Sequence, residues 1–249
     1  MSEDLGKLLK DLKHHDPHFR QNAVRFLSQK YINEFKILKL EDRNSIIEGL
    51  ISKLDKKEDS LEVKGVAVRE FGKMAKILKE EDAIKVFSII IAFVTDEKAE
   101  GKDIYVLCIK EILKEMNPSS CHLVGKTIIP EIIKGIQHKN NTIKELCFDT
   151  FNDYICKFSY ILIKDSESLI KNKDFVCECA LDCLKTDSLT LRKVSSLFLG
   201  AFSTILKKET LYILLNNLLS LINACSESEM HTKITYFNTL TGIAKNTCS

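Results

Sequence analysis

The densest group of ionisable side chains in this sequence is His14, His15, Asp16 and His18. Imidazole nitrogens and a carboxylate are donors that can hold zinc. A metal site also needs ligands at a defined spacing, and no second ligand group follows nearby in sequence. The cluster therefore reads as a solvated turn between helices. Cys177, Cys179 and Cys183 include one i, i+4 pair that shares a helical face. Thiolates bind zinc, but four ligands are needed and no histidine stands close. Buried packing is the favoured reading, because free cysteine behaves as a small hydrophobe. Nucleophilic catalysis needs a nucleophile, a base and an orienting group together. The chain has no G-x-S-x-G, H-E-x-x-H, phosphate-binding G-x-x-x-x-G-K-[ST] or G-x-G-x-x-G. Acid pairs such as Glu80-Glu81 fall at expected helix starts, where the helix dipole favours negative charge. No catalytic, cofactor-binding or metal-binding residue is assigned, and the expectation is a protein that is not an enzyme.

What remains chemically distinctive is a column of cations. Arg20, Lys64, Lys102, Lys144, Arg192 and Lys233 each stand near the start of an amphipathic helix, at steps of 44, 38, 42, 48 and 41 residues. Seven residues after each comes Leu27, Phe71, Ile109, Phe151, Leu199 or Leu240. Ten after comes Lys30, Met74, Ile112, Tyr154, Phe202 or Ile243, with only Lys30 out of pattern. Three after comes Ala23, Ala67, Tyr105, Cys147, Ser195 or Tyr236. In the best of these helices Val63, Ala67, Phe71, Met74 and Leu78 share one face. Such a helix cannot bury its stripe alone, and a period near 43 residues with two helices per unit is the signature of HEAT-type solenoids. The fold expected is all-α, a HEAT-repeat α-solenoid forming a right-handed superhelix of about six antiparallel helix pairs. It is read as one solenoid over 1–249, with repeats at about 1–38, 39–79, 80–117, 118–157, 158–207 and 208–249.

Local signals refine the expectation. Pro17 suits a first helical turn, and Asn117-Pro118 should end the second helix of repeat three. Pro130 should kink its helix near Thr127. The helix around Val86–Val94 is apolar almost all round, as if enclosed by neighbours. Extra residues between Phe158 and Asn172 imply a lengthened junction. The cations should pair with Asp16, Asp59, Asn140 or Asp187 of neighbouring turns, forming a ladder.

Composition narrows the function. The 249 residues carry 37 basic and 35 acidic groups, a net charge of +2, which argues against a nucleic-acid binder. Apolar residues make up 45%, enough for a continuous core, and three prolines suit long helices. Nine cysteines without a C-x-x-C pair suit a reducing compartment. The acidic, amphipathic N-terminus is unlike a signal peptide. The run Ala83–Val94 is too short to span a bilayer. A monomeric protein of the cytoplasm or nucleus, or both, with no membrane or nucleic-acid partner and no cofactor, is expected.

The segments DPHFRQNAVRFL (16–27), EVKGVAVREFGKMAKILKE (62–80), KDIYVLCIKEILKEMNP (102–118) and LTLRKVSSLFLGAF (189–202) match one family in order and spacing. The chain resembles the N-terminal HEAT repeats of the cullin-associated, neddylation-dissociated proteins. That resemblance implies binding to an un-neddylated cullin and its RING partner, without catalysis, in the assembly of cullin–RING ubiquitin ligases and exchange of their substrate receptors. Family members are several times longer, and the arm that displaces the substrate adaptor has no counterpart here. The off-core positions of second helices, Arg25, Gln29, Arg69, Lys73, Lys76, Lys110 and Lys114, are the expected partner-binding face. The alternatives are a general HEAT scaffold or transport adaptor, and an enzyme whose site carries no familiar motif.

Overall fold

A computed structural model describes residues 3–55, 58, 60–226 and 229–247. All regular structure among them is helical. The chain divides into two compact units, Met1–Asn117 and Pro118–Ser249. The first holds α1 (Glu3–Asp11), α2 (Pro17–Glu34), α3 (Leu40–Ile51), α4 (Leu61–Met74), α5 (Glu80–Thr95) and α6 (Lys102–Glu115). The second opens with a 3-10 turn, Pro118–Ser120. It continues through α7 (Cys121–Ile136), α8 (Asn141–Asp165), α9 (Lys173–Cys183), α10 (Leu189–Phe202), a 3-10 turn Ser203–Ile205, α11 (Lys208–Ala224) and α12 (Met230–Thr247).

Four of the even-numbered helices, α2, α4, α8 and α10, begin on built caps. Asp16, Ser60, Asn140 and Ser188 each accept a backbone N–H of their own first turn, and Pro17 takes the first helical position of α2. Gly101 starts α6 at φ +66°, a left-handed conformation that glycine adopts without strain. By contrast, α3 and α5 start on lysines that make no side-chain cap bond. Their first turns carry Glu41 and Asp42, and Glu80, Glu81 and Asp82, which complement the helix dipole instead.

The repeat columns become the core. The residues three after each cation, Ala23, Ala67, Tyr105, Cys147, Ser195 and Tyr236, are all buried. The column seven after is buried from Leu27 to Leu199 and half-buried at Leu240. Lys30, the out-of-pattern member, keeps its place by pairing with Glu34 at 3.1 Å and Asp4 at 3.5 Å. Side-chain hydrogen bonds repeat the period: Gln21 to Glu62, Cys108 to the Val68 carbonyl, Ser188 to Glu145 and Thr239 to Ser196 link positions 40 to 43 residues apart.

Among the described residues, four of the cations make contacts outside the expected ladder. Arg20 is buried, and its guanidinium donates to the carbonyls of His14 and His15 and to Glu58 Oε1 at 2.7 Å. Lys64 lies 5.3 Å from the centre of the Phe93 ring, Lys102 donates to the Asp96 carbonyl, and Arg192 donates to Thr232 at 3.1 Å. Asp16 and Asn140 use an oxygen to cap their own helices, Asp187 is exposed, and Asp59 lies outside the described residues. Short side chains at a helix start reach their own free N–H groups more readily than a neighbouring turn.

Three other expectations are corrected. First, α7 runs through Pro130 as one helix. Pro130 and Lys126 are both exposed, so the carbonyl deprived of its donor is on the water side. Second, the irregular backbone is in α8, at Phe158 (φ −111°, ψ 15°), and the extra residues extend that helix to Asp165. Third, α5 is not enclosed all round, since Lys85, Ser88 and Ala92 are exposed.

The junction after α8 is held by a buried lysine. Lys173 donates to Ser166 Oγ and Glu167 Oε1, both at 2.6 Å, and to the Ile205 carbonyl at 3.0 Å. Lys173→Met should cost about 2 kcal/mol in urea denaturation, because the buried acceptors lose their donor. The bond from Lys173 also holds the Glu167 carboxyl below its ordinary range. That contribution is present above the unfolded value of about 4.3 and is lost as pH falls through the depressed folded value. The gap between wild type and variant should therefore narrow in acid, and a gap independent of pH would exclude the Glu167 contribution.

Candidate functional site

Helices α4 and α6 are neighbours in the first unit, and a groove of about 620 Å³ runs between them. Gly72 sets their spacing, since a Cβ there would stand 3.0 Å from Glu111 Cβ. The floor is apolar, made by Gly65, Val68, Ile104 and Leu107. Leu107 is 53% exposed although its helix is otherwise well packed. One lip carries Arg69 and Lys73 of α4 and Lys76 of the turn that follows it. The other, from α6, carries Glu111 and Glu115.

The charges are positioned unequally. Lys73 is braced by Glu70, a buried carboxylate 2.6 Å away. Lys76 reaches across to Glu115 at 3.4 Å. Arg69 is exposed and its guanidinium has no protein partner among the described residues. Cys108 lines the groove, but its S–H donates to the Val68 carbonyl at 3.5 Å, and burial pushes the thiol well above its ordinary range. It is a packing residue and not a thiolate nucleophile. The groove can thus offer ion pairs, hydrogen bonds and an apolar floor.

Of the seven residues expected on the partner face, the structure brings Arg69, Lys73 and Lys76 together on this lip. Lys110 is half-buried and Lys114 exposed on α6, one helical step round from the groove. Arg25 and Gln29 are exposed on α2, where Arg25 donates to Asn22 at 3.2 Å. Gln29 belongs to a separate groove of about 530 Å³ between α1 and α2, beside the exposed rings of Phe19 and Phe26. Leu107, Glu111 and Glu115 were not singled out from sequence. Leu107 carried a signal, because it follows its cation by five residues, a column that holds Arg25 and Arg69 in the first two repeats.

The other ionisable clusters have local roles. His14 Nδ1, one potential ligand atom, accepts the Asp16 N–H at 3.1 Å, and its ring stacks on His15 and Phe19. Cys177 and Cys183 are buried and Cys179 is half-buried; burial pushes the Cys177 thiol up to about 12. Among the described residues no group of three or more metal-ligating side chains converges, and no helix is long and apolar enough to cross a membrane.

By sequence, the chain matches no family model and no curated protein. By structure it is similar to helical-repeat proteins. Importin beta aligns with a TM-score of 0.67 at 14% identity, over 97% of this chain and 30% of that one. A structure from work on microtubule plus-end tracking by XMAP215, CLIP-170 and EB1 aligns at 0.61 and 13% identity, over 95% and 90% of the two chains. A designed armadillo repeat protein in complex with a (KR)4 peptide aligns at 0.55 and 17% identity, over 97% and 100%. Together with the paired helices and the recurring columns, these likenesses identify the fold as a HEAT/armadillo-like α-solenoid.

Proposed function

We propose that this chain is a non-catalytic scaffold that binds another protein through the α4–α6 groove, and that its partner is an un-neddylated cullin with its RING subunit. The observation that carries the binding role is the juxtaposition of a basic lip, an exposed leucine and an acidic lip in one groove on a rigid helical pair. Charged rims steer and select a partner, while an apolar centre supplies affinity. The cullin reading rests on the four sequence segments that resemble the cullin-associated family. It makes the chain a regulator of ubiquitin-ligase assembly in the cytoplasm or nucleus.

The test is co-purification with a cullin–RING pair, neddylated and bare. The chain should retain the bare form preferentially. Arg69→Glu combined with Leu107→Asp should weaken retention roughly tenfold or more, since each change opposes a different part of the groove. Lys73 is best left in place, because removing it would strand the buried Glu70 carboxylate. Equal retention of both cullin forms rejects the cullin assignment, and an unaffected double variant rejects the groove. The second reading is a transport adaptor, which capture of a transport cargo with no cullin would support.

A further inference from the structure

Helices α4 and α6 run parallel and in register. Gly65 faces Ile104, Gly72 faces Glu111 and Lys76 meets Glu115, each pair 39 residues apart in the chain. The groove between the helices is therefore a series of levels. From Gly65 to Lys76 it runs for about 16 Å, or about three helical turns. By the same offset Arg69 stands level with Cys108, beside the exposed Leu107. Glu111 lies about one turn further along, on the opposite lip.

Three of the lip charges are already engaged. Lys73 is held by Glu70 at 2.6 Å, and Lys76 and Glu115 hold each other at 3.4 Å. Arg69 and Glu111 are exposed and form no ion pair among the described residues. The two lips thus favour opposite charges in a ligand, an anion beside Arg69 and a cation beside Glu111.

Hydrogen-bonding capacity selects the backbone of that ligand. Among the described residues lining the groove there is no Asn, Gln, Ser or Thr. The backbone groups along α4 and α6 are committed to their own helices. An extended peptide would bring N–H and C=O groups onto an apolar floor that offers them no neutral partner. A helix satisfies those groups within itself and presents only side chains. Its apolar stripe meets the floor and its two flanks meet the two lips, as flanking charges do beside the seam of a coiled coil.

We infer that the occupant of this groove is an amphipathic α-helix of the partner, apolar along its centre, acidic on the flank toward Arg69 and basic on the flank toward Glu111. The inference rests on the α4–α6 groove being the binding site. Fluorescence polarisation with three labelled helical peptides of about 18 residues tests it. All three carry the same leucine stripe, and their flanks are glutamate on one side and lysine on the other, glutamate on both, or lysine on both. The wild-type chain should bind the mixed peptide at least about fivefold more tightly than either of the others. Arg69→Glu makes both unengaged lip charges acidic and should shift the preference to the lysine-flanked peptide. Glu111→Lys should shift it to the glutamate-flanked one. Both positions are exposed, so helical circular dichroism should be unchanged. A wild-type chain that binds none of the peptides or all three alike overturns the inference, as do folded variants that keep the wild-type preference. Equal binding of a mixed peptide broken by a central proline would make the occupant extended. Self-association of the chain that the mixed peptide disperses would make it a second copy, and either result also overturns the inference. Retention of a bare cullin without any switch among the peptides would reject the helix and leave the cullin reading standing, whereas the switch without cullin retention would do the reverse.

Discussion

Glu58→Ala should remove about 3–5 kcal/mol from the stability of the first unit, the range for stranding one member of a buried ion pair. Glu58 sits in the turn before α4 at 3% exposure and meets two cations, Arg20 at 2.7 Å and Lys53 at 3.1 Å. Arg20 is itself 7% exposed and also ties down the turn before α2 through the His14 and His15 carbonyls. Lys53 similarly holds the Leu12 carbonyl at 2.9 Å. The carboxylate thus joins the first two repeats, and without it a buried guanidinium loses its 2.7 Å carboxylate contact in a dry site. Urea denaturation followed by circular dichroism measures the loss. Arg20→Met with Glu58→Leu should lose less than Glu58→Ala alone, since removing both charges ends the desolvation penalty. A single-variant loss under about 1 kcal/mol would mean that water reaches the site and the pair behaves as a surface ion pair.

The second large effect is steric. Gly125 of α7 faces Tyr154 of α8, and a Cβ at position 125 would lie 2.3 Å from the tyrosine oxygen and 3.2 Å from Leu169 Cδ1. The tyrosine cannot simply turn away. Its hydroxyl donates to the Cys121 carbonyl at 2.8 Å, and burial holds the phenol protonated far above its usual range, so it remains a donor. Gly125→Ala should cost about 3 kcal/mol, combining overpacking with loss of a buried hydrogen bond. Tyr154→Phe alone should cost about 1–2 kcal/mol. The pair should couple, the double variant losing less than the two single losses combined, because removing the oxygen relieves most of the clash. Strict additivity in denaturation would show that α7 and α8 separate to admit the methyl group, and would refute the rigid packing described here.

Neither effect was visible in the chain alone. Arg20 was legible as the first of six recurring cations, but Glu58 was not among the acids expected to serve the column. It lies 38 residues away in a turn. Gly125 looked like any helical glycine until a tyrosine 29 positions on was placed against it. The groove was half legible. Arg69, Lys73 and Lys76 were readable as off-core residues of one helix. Glu111 and Glu115 enter only because α6 lies beside α4, and Arg25 and Gln29 fall elsewhere because α2 faces α1 as well.

The sequence by itself determined the helices, their capped starts and their recurring buried columns. These follow from a 3.6-residue period and from side chains that cap their own backbone, both of which act within a few residues. The tertiary structure decided which cation is dehydrated, which glycine admits a neighbour, and which apolar residues stay in water, as Leu107 and Phe237 do. Those outcomes depend on the separation of helices about forty residues apart in the chain, where an ångström decides between a contact and a groove. A local pattern carries no record of that distance.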